Sequence, residues 1–246
     1  MSFRHTTSGL ALCAVLFAAL ALPAVVLAGS GNDELSYSPP VQVEQLWMNI
    51  PMEIAHLIHE DDSADAIVRI DETGEVVDWV CLYVPHYKLL PALGNALMGL
   101  EFEPAMDNGE PLVIDMSVSI PVGEVGVYGV LTLTPASYIE ARIASISHTS
   151  DEVVVCRTRD LDRPLEITQK GRPVVPVDKD QNRISGEVEV QFYVDWKGIP
   201  RLIRSDLEKN PVLRHAAHLT VEQMRFTPPT RNGRPTVMKA RMTVEF

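Results

Sequence analysis

Basic residues are scarce in this chain of 246 residues. It holds 21 Lys and Arg against 33 Asp and Glu, which gives a formal net charge of -12 at pH 7. Because a dedicated nucleic-acid binder needs clustered Lys and Arg to neutralise phosphates, this balance argues against nucleic acid as a partner. Aromatic residues make up only 6% of the chain and cysteines number 3, but 46% of the residues are hydrophobic. A chain that is disordered throughout is therefore excluded.

Catalytic signatures are also missing. The sequence contains no G-x-S-x-G, no glycine-rich phosphate loop and no zinc-protease helix motif, so we predict neither an enzyme nor a cofactor. His56 with His59, and His215 with His218, have the spacing of two metal ligands on one helix face. Neither pair has an obvious third ligand, and we predict no metal site.

The first 28 residues are typical of an export signal. The stretch from Leu10 to Leu27 is almost uninterrupted apolar sequence, and Val26 and Ala28 stand where small residues precede a cleavage site. We predict a cleaved signal peptide over residues 1–28. The alternative is an uncleaved anchor over residues 10–28, because the stretch is near the roughly 17-residue minimum for a spanning helix.

Export affects the interpretation of the cysteines. Removal of the signal would leave Cys81 and Cys156 as an even pair in a compartment where disulfides persist. A bridge between them would contribute roughly 4 kcal/mol in the chain-entropy description. The alternative is a pair of buried free thiols that pack as small hydrophobic side chains. Both alternatives stay open on the sequence.

Two segments of the chain match each other without a gap at a spacing of 124 residues, which indicates duplication of one structural unit. The matched pairs are Pro40 with Pro164, Asp71 with Asp195, Gly74 with Gly198, Leu89 with Leu213, Ala92 with Ala216, Phe102 with Phe226, Pro104 with Pro228, Asn108 with Asn232, Gly109 with Gly233, and Pro111 with Pro235.

The second copy predicts a hairpin followed by a helix. The segment GEVEVQFYVD alternates apolar and polar residues as a strand with one buried face does, DWKG supplies the turn, and a second strand runs from Ile199 to about Ser205. Asn210 is a good N-cap with Pro211 at the first helical position, which predicts a helix from about Pro211 to Met224.

A final strand follows a buried Phe226 and a tight turn at Asn232 and Gly233. Its exposed face is predicted to carry Lys239, Arg241 and Thr243 among other residues. The first copy repeats the order. It predicts strands near 66–71, 75–84 and 112–120, and a helix over about 87–100 that turns Leu89, Leu93, Leu97 and Leu100 inward.

The second copy resembles the C-terminal domain of the TonB family, periplasmic energy transducers, across about residues 164–246. The family's V-D-x-x-G turn, A-A helix and R-F-x-P-x-x-x-x-G-x-P tail all occur in order. The residues of this structural motif are Asp195, Gly198, Phe226, Pro228, Asn232, Gly233 and Pro235. The first copy keeps only the matched residues and the order of predicted elements. The predicted fold class is therefore α+β, with two tandem TonB C-terminal-like modules, each a small antiparallel sheet with a helix packed on it.

The resemblance implies a periplasmic protein that contacts envelope proteins, including TonB-dependent outer-membrane receptors. Strand addition at an exposed sheet edge would be the physical route. Lys239, Arg241 and Thr243 on the last strand, and Trp196 beside the hairpin turn, are the candidate partner-binding residues. One alternative is a structural protein whose two modules pair with each other. Another is a short energy transducer that keeps its anchor, although the 11 residues between Gly29 and Pro39 do not resemble the family's long Pro-rich spacer.

The predicted domains are a diverged module over residues 40–120, a connector over 121–163 and the closer match over 164–246. The connector predicts a helix opened by Thr134 and Pro135 and a short strand at EVVVCR, which can dock on either sheet. Residues 40–120 hold 15 acidic and 2 basic residues, a net charge of -13, whereas residues 164–244 hold 9 acidic and 14 basic residues, a net charge of +5. The two copies can therefore attract each other, or the basic copy can take an acidic partner.

Overall fold

The structure, a computed structural model, describes most of the chain after residue 36. The described residues are 37–43, 46, 48–59, 61–122, 132–133, 151–172, 174–177, 179–206 and 209–246. The predicted signal peptide or anchor and the predicted helix after Thr134 lie outside these residues. We call residues 37–122 the first half and residues 164–246 the second half.

The first half contains eight strands and one α-helix among its described residues. The strands are β1 (Tyr37–Ser38), β2 (Val41–Gln42), β3 (Ser63–Ile70), β4 (Val76–Val84), β5 (Phe102–Glu103), β6 (Ala105–Asp107), β7 (Glu110–Leu112) and β8 (Ile114–Pro121). Helix α1 (Leu90–Met98) follows a 3-10 turn at Tyr87–Leu89. The four leucines predicted to point inward are all buried.

Strands β9 (Thr132–Leu133) and β10 (Val153–Cys156) lie between the halves. The second half contains β11 (Ile167–Gln169), β12 (Glu187–Val194), β13 (Pro200–Ser205), α2 (Pro211–Glu222), β14 (Arg225–Phe226), β15 (Thr230–Arg231), β16 (Arg234–Pro235) and β17 (Val237–Glu245). Of the helices in the described ranges, neither has the length and apolarity needed to cross a membrane.

Helix α2 begins where the sequence predicts. The Asn210 side chain accepts a hydrogen bond of 2.8 Å from the backbone N–H of Val212, and Pro211 occupies the first turn, where its missing N–H costs nothing. The predicted apolar face is buried against β12 and β13. Its members are Leu213, Ala216, Ala217, Val221 and Met224. The helix ends two residues earlier than predicted, at Glu222.

One sheet of eight strands runs through both halves, in the order β13-β12-β17-β10-β4-β3-β8-β9. This differs from the expectation of two separate small sheets. The joining strand is β10, which pairs antiparallel with β4, Val153 opposite Val84, and parallel with β17, Val155 opposite Val237. The sequence of β10 is the apolar run VVVC, which is typical of an interior strand of a sheet with covered faces. The predicted connector strand therefore docks on both sheets.

A row of three charged side chains crosses the sheet of the first half. Arg69 on β3 lies opposite Asp78 on β4 and Asp115 on β8. Its guanidinium donates to both carboxylate oxygens of Asp115, at 2.7 and 2.9 Å, so the pair is bidentate. We call these three residues the charged row.

Strand β13 of the second half docks on the charged row. The Leu202 N–H donates to Asp78 Oδ2 at 2.7 Å, and Arg69 Nη2 donates to the Ile203 carbonyl at 3.2 Å. Arg201 Nη1 donates to Asp78 at 3.2 Å, and Arg204 Nε donates to Asp115 at 2.6 Å. The acidic first half and the basic second half thus meet through specific ion pairs.

Leu202 projects from β13 into the core of the first half. The pairing of β12 with β13 is irregular between Gln191 and Tyr193, and Leu202 takes a φ of +49°, which is uncommon for a non-glycine residue. Its side chain is 1% exposed and belongs to the hydrophobic cluster of the first half, whereas Ile203 belongs to the cluster of the second half. Neighbouring residues of one strand therefore fill two different cores.

The charged row predicts a pH dependence of stability. Burial raises the pKa of Asp115, but the hydrogen bonds and charges of Arg69 and Arg204 outweigh burial and hold the pKa below its ordinary value. A carboxyl group with a lowered folded-state pKa stabilises the fold above its unfolded-state pKa, near about 4, and loses that contribution as the pH falls through the folded-state value. We expect Asp115→Asn to lower the free energy of unfolding by about 2 kcal/mol at pH 7, and by progressively less below pH 4.

Urea unfolding of both proteins between pH 7 and pH 2.5 measures this difference. Glu189→Gln is the control, because the Glu189 carboxylate is 3.9 Å from Arg241 in an exposed pair, and such pairs contribute little. A difference between wild type and Asp115→Asn that stays constant across this pH range would contradict the assignment.

Candidate functional site

The C-terminal strand β17 has one side partly open. On one side it pairs with β12 along eight residues, from Glu187 opposite Glu245 to Val194 opposite Met238. On the other side β10 reaches only Val237 and Met238, because the chain then turns into a 3-10 helix at Thr158–Asp160. Within the ranges that the structure describes, no strand pairs with β17 on this side from residue 239 onward.

A groove of about 640 Å³ lies along this open edge. It is lined by residues of β17, β12 and β14, of the segment after β10, and of β11 and the residues just before it: Arg157, Thr158, Leu165, Ile167, Gln191, Phe192, Phe226, Met238, Lys239, Ala240, Arg241 and Met242. We call this the β17 groove. It lies beside the stretch of β17 that no described strand pairs with on this side, and it has an apolar wall. An added strand can use the first for main-chain hydrogen bonds and the second to bury alternate side chains.

The apolar wall is built on the Phe226 side chain. Phe226 is buried and its ring centroid lies 5.6 Å from that of Phe192. Strand β11 pairs with β14, Ile167 opposite Phe226, and this pairing brings Ile167 to the groove with its side chain 44% exposed. A partner strand can therefore bury apolar side chains here.

The opposite wall carries positive charge. Lys239 and Arg241 alternate on the exposed face of β17, as the sequence predicts, and both line the groove. The Lys239 ammonium lies 5.9 Å from the centroid of the Tyr193 ring, and Arg241 Nη1 lies 3.9 Å from Glu189. The contact between Arg241 and Glu189 is long and solvent-exposed, so the Arg241 guanidinium can turn towards an acidic partner at little cost.

The structure separates the other two candidate partner residues from this pair. Thr243 lies further along β17 on the same exposed face, beyond the residues that line the groove. Trp196 lies at the hairpin turn, where its ring centroid is 5.4 Å from that of Trp79 in the first half and Lys197 Nζ is 5.6 Å from it. Trp196 is half-buried and packs against the hydrophobic cluster of the first half.

The hairpin turn holds Phe226 in place through Asp195 and Gly198. The Asp195 carboxylate accepts hydrogen bonds of 2.9 Å from the N–H groups of Lys197 and Ile199, which closes the turn. Gly198 has a φ of +80°, and its carbonyl accepts a hydrogen bond of 2.9 Å from the Phe226 N–H. A Cβ on residue 198 would lie 2.1 Å from the Phe226 carbonyl oxygen. Glycine is therefore required where the turn meets the strand.

The turn at Asn232 and Gly233 is held by Asp162. Asn232 has a φ of +53° and Gly233 one of +73°, and their N–H groups donate to the Asp162 carboxylate at 2.7 and 2.8 Å. Of the motif prolines, Pro235 pairs with Thr230 across the same turn, and Pro228 lies between Phe226 and this turn. These contacts fix the segment that precedes β17.

Cys81 and Cys156 are free, buried thiols in the structure, and the bridge between them stays a prediction. Their surroundings differ. Burial among hydrophobic side chains and the charge of Asp65 raise the pKa of Cys81, whereas burial raises the pKa of Cys156 against a hydrogen bond with Thr236.

We expect neither thiol to react with a maleimide in the folded protein at pH 8, because buried thiols with raised pKa values form little thiolate. Both should react once guanidinium unfolds the chain without a reductant. Mass spectrometry of the labelled protein, cut to peptides, measures each site. Peptides of the two sites that are joined and unlabelled after non-reducing denaturation would show a bridge instead.

Groups of metal-binding side chains do not converge in the described part of the chain. No set of three or more His, Cys, Asp or Glu there could hold a metal ion. His218 lies in a second, polar cleft of about 510 Å³ between α2, β13 and β4. Burial is the main cause that lowers the pKa of His218, and the charge of Arg69 adds to it.

Several residues of the β17 groove were not predicted. Arg157 and Thr158 come from the segment after β10, and Leu165 and Ile167 come from β11 and the residues just before it. No local pattern marks these residues, since only the pairing of β10 with β17 and of β11 with β14 brings them together. The family resemblance, which begins at about residue 164, was the one available signal for Leu165 and Ile167.

Comparison with known proteins supports the assignment for one part of the chain. No curated protein and no solved structure matches the chain. Residues 172–246 match the family described as the Gram-negative bacterial TonB protein C-terminal. That family is non-catalytic, its domains act in the periplasm, and they contact TonB-dependent receptors. The match identifies a TonB C-terminal domain at residues 172–246.

Proposed function

We propose that the second half binds extended segments of envelope proteins, including TonB-dependent outer-membrane receptors, by strand addition at β17. The observation that carries the proposal is the open side of β17 within the matched domain, beside the β17 groove. Backbone hydrogen bonds from an added strand would satisfy the edge, and alternate side chains would enter the groove. Lys239 and Arg241 favour an acidic side chain in that strand.

The proposal includes the first half as a diverged module of the same kind. Its support is a set of equivalent features at a spacing of 124 residues. Strands β3 and β12 begin and end at equivalent positions. Asp71 accepts hydrogen bonds from the N–H groups of Thr73 and Glu75 as Asp195 does in its own turn, and the Phe102 N–H donates to the Gly74 carbonyl at 2.9 Å. Asn108 and Gly109 have positive φ angles, like Asn232 and Gly233.

A second candidate function is structural, in which the two modules pair as an intramolecular pseudo-dimer. The docking of β13 on the charged row favours it, because Asp78 and Asp115 bind Arg201 and Arg204 of the other half. Its test uses the full chain with a protease site inserted between residues 136 and 148. After cleavage we expect the halves to stay together on size exclusion at low salt; two separate peaks would contradict the pairing.

The proposed location is the periplasm, reached through the export signal. The alternative is an anchor at the inner membrane over residues 10–28, with the rest facing the periplasm, as a short energy transducer would have. Amino-terminal sequencing of the protein from the periplasmic fraction distinguishes the two. A first residue near Gly29 supports cleavage, and an intact first residue in the membrane fraction supports the anchor.

Strand addition is tested in living cells with a photo-crosslinking amino acid at Arg241. We expect crosslinks to the amino-terminal plug segment of outer-membrane receptors, identified by mass spectrometry. Met52 is the control position, because it is 90% exposed and belongs to the first half. Equal capture of the same proteins from Met52, or no envelope protein captured from Arg241, would contradict the proposed function.

A further inference from the structure

We infer that only one of two equivalent edges accepts an added strand, because the first half has closed at β8 the edge that the second half keeps open at β17. This inference rests on the proposed function of β17. Strand β8 is the element of the first half that lies at the position of β17, at a spacing of 124 residues. The two strands differ in what covers them.

The middle of β8 is covered by the chain itself. Strand β9 pairs with it antiparallel, Leu133 opposite Val118 and Thr132 opposite Ser119. The equivalent positions on β17 are Met242 and Thr243, which lie in the stretch beyond β10. A strand edge has one free side, so a partner cannot add at the middle of β8 unless β9 leaves.

The side chains of β8 also differ from those at the equivalent positions of β17. Asp115 stands where β17 has Lys239, and Ser117 stands where it has Arg241. The Asp115 carboxylate is held by Arg69 at 2.7 Å and by Arg204 of the second half at 2.6 Å, and Ser117 is buried. The first half therefore lacks the two cations of the β17 groove, and its equivalent charge serves to dock β13.

The remaining edge strand of the second half is covered too. Strand β13 stands at the end of the eight-stranded sheet, yet its Leu202 N–H and Ile203 carbonyl are bound by Asp78 and Arg69. Charged side chains that bind the backbone of an edge strand keep other strands from adding to it. The first half thus acts as a cover for β13, and among β8, β13 and β17 in the described ranges, β17 is the strand whose middle stays open to a partner segment.

Matched positions on the two edges test the inference in the full-length protein. A photo-crosslinking amino acid is placed at Thr243 in one variant and at the equivalent Ser119 in another. The probe is a synthetic peptide that carries the amino-terminal plug segment of a TonB-dependent receptor. We expect the peptide to crosslink at residue 243 with at least a tenfold higher yield than at residue 119, and to bind with one peptide per chain by calorimetry.

Two outcomes would overturn the inference in different ways. Comparable yields at both positions, with two peptides per chain, would leave strand addition standing and refute the single edge. No crosslink at residue 243 would refute the proposed function, and the inference with it.

Hydrogen exchange of the unlabelled protein provides a second readout that does not depend on either variant. The peptide should slow exchange in residues 237–245 and leave residues 114–121 unchanged. Slowed exchange in residues 114–121 would refute the single edge even if the Ser119 variant failed to fold.

Discussion

Phe226→Ala is expected to lower the free energy of unfolding of the second half by about 3–5 kcal/mol, the range for removal of a buried aromatic side chain. The Phe226 ring is 7% exposed and packs within 5.6 Å of the Phe192 ring, so its loss leaves a cavity between β12 and α2. The same change removes the apolar wall of the β17 groove. Urea unfolding measures the stability, and hydrogen exchange locates the loss.

Val212→Ala is the matched control, because Val212 is 40% exposed on α2 and its truncation should change stability by less than about 0.5 kcal/mol. Near-wild-type stability of Phe226→Ala would contradict the core assigned to the second half. A loss that appears equally in residues 63–84 by hydrogen exchange would show that the two halves unfold as one unit.

Gly198→Ala is expected to cost about 2–5 kcal/mol, from two causes that add. An L-residue at a φ of +80° is strained by roughly 1–2 kcal/mol. The new Cβ also meets the Phe226 carbonyl oxygen at 2.1 Å, and relief of such a contact costs roughly 1–3 kcal/mol. Because Phe226 must move, we expect weaker binding of the receptor peptide as well as lower stability.

Gly233→Ala separates the two causes. Gly233 has a φ of +73°, but a Cβ there meets nothing within 4 Å. It should therefore cost only the conformational strain, about 1–2 kcal/mol. Denaturant titration of the two variants side by side gives the difference between their free energies of unfolding. Equal losses would mean that the close approach of Gly198 to Phe226 contributes nothing to the cost of Gly198→Ala.

Local patterns predicted the elements of each half well. Alternation predicted β12 and β17, the Asn210 and Pro211 cap predicted the start of α2, and EVVVCR predicted β10. These signals are encoded within a few residues, as period, cap chemistry and turn residues. The exposed Lys239 and Arg241 followed from the same alternation, so the positively charged wall of the β17 groove was predictable.

The arrangement between the halves was not predictable in this way. Nothing local indicates that β10 pairs with both β4 and β17, or that β13 lies on the charged row. Leu202, with its φ of +49°, donates its N–H to Asp78, a residue 124 positions earlier in the chain. Such contacts are selected by shape and charge after the elements form. A single sequence gives only one indication of them, the opposite net charges of the two copies, -13 and +5.

The position of β17 has a consequence for fragments of this protein. The strand lies antiparallel to β12 and parallel to β10, so a chain cut before Val237 would leave β12 without this partner along eight residues. At Val237 and Met238, where β10 also pairs, it would leave a gap one strand wide, with roughly 10 Å between the axes of β10 and β12. A peptide of residues 237–246 added in trans fits this gap in one direction only, because a reversed peptide would be parallel to β12 and antiparallel to β10. The truncated chain and the peptide should therefore behave as a complementation pair, in which restored structure reports the binding of a single strand.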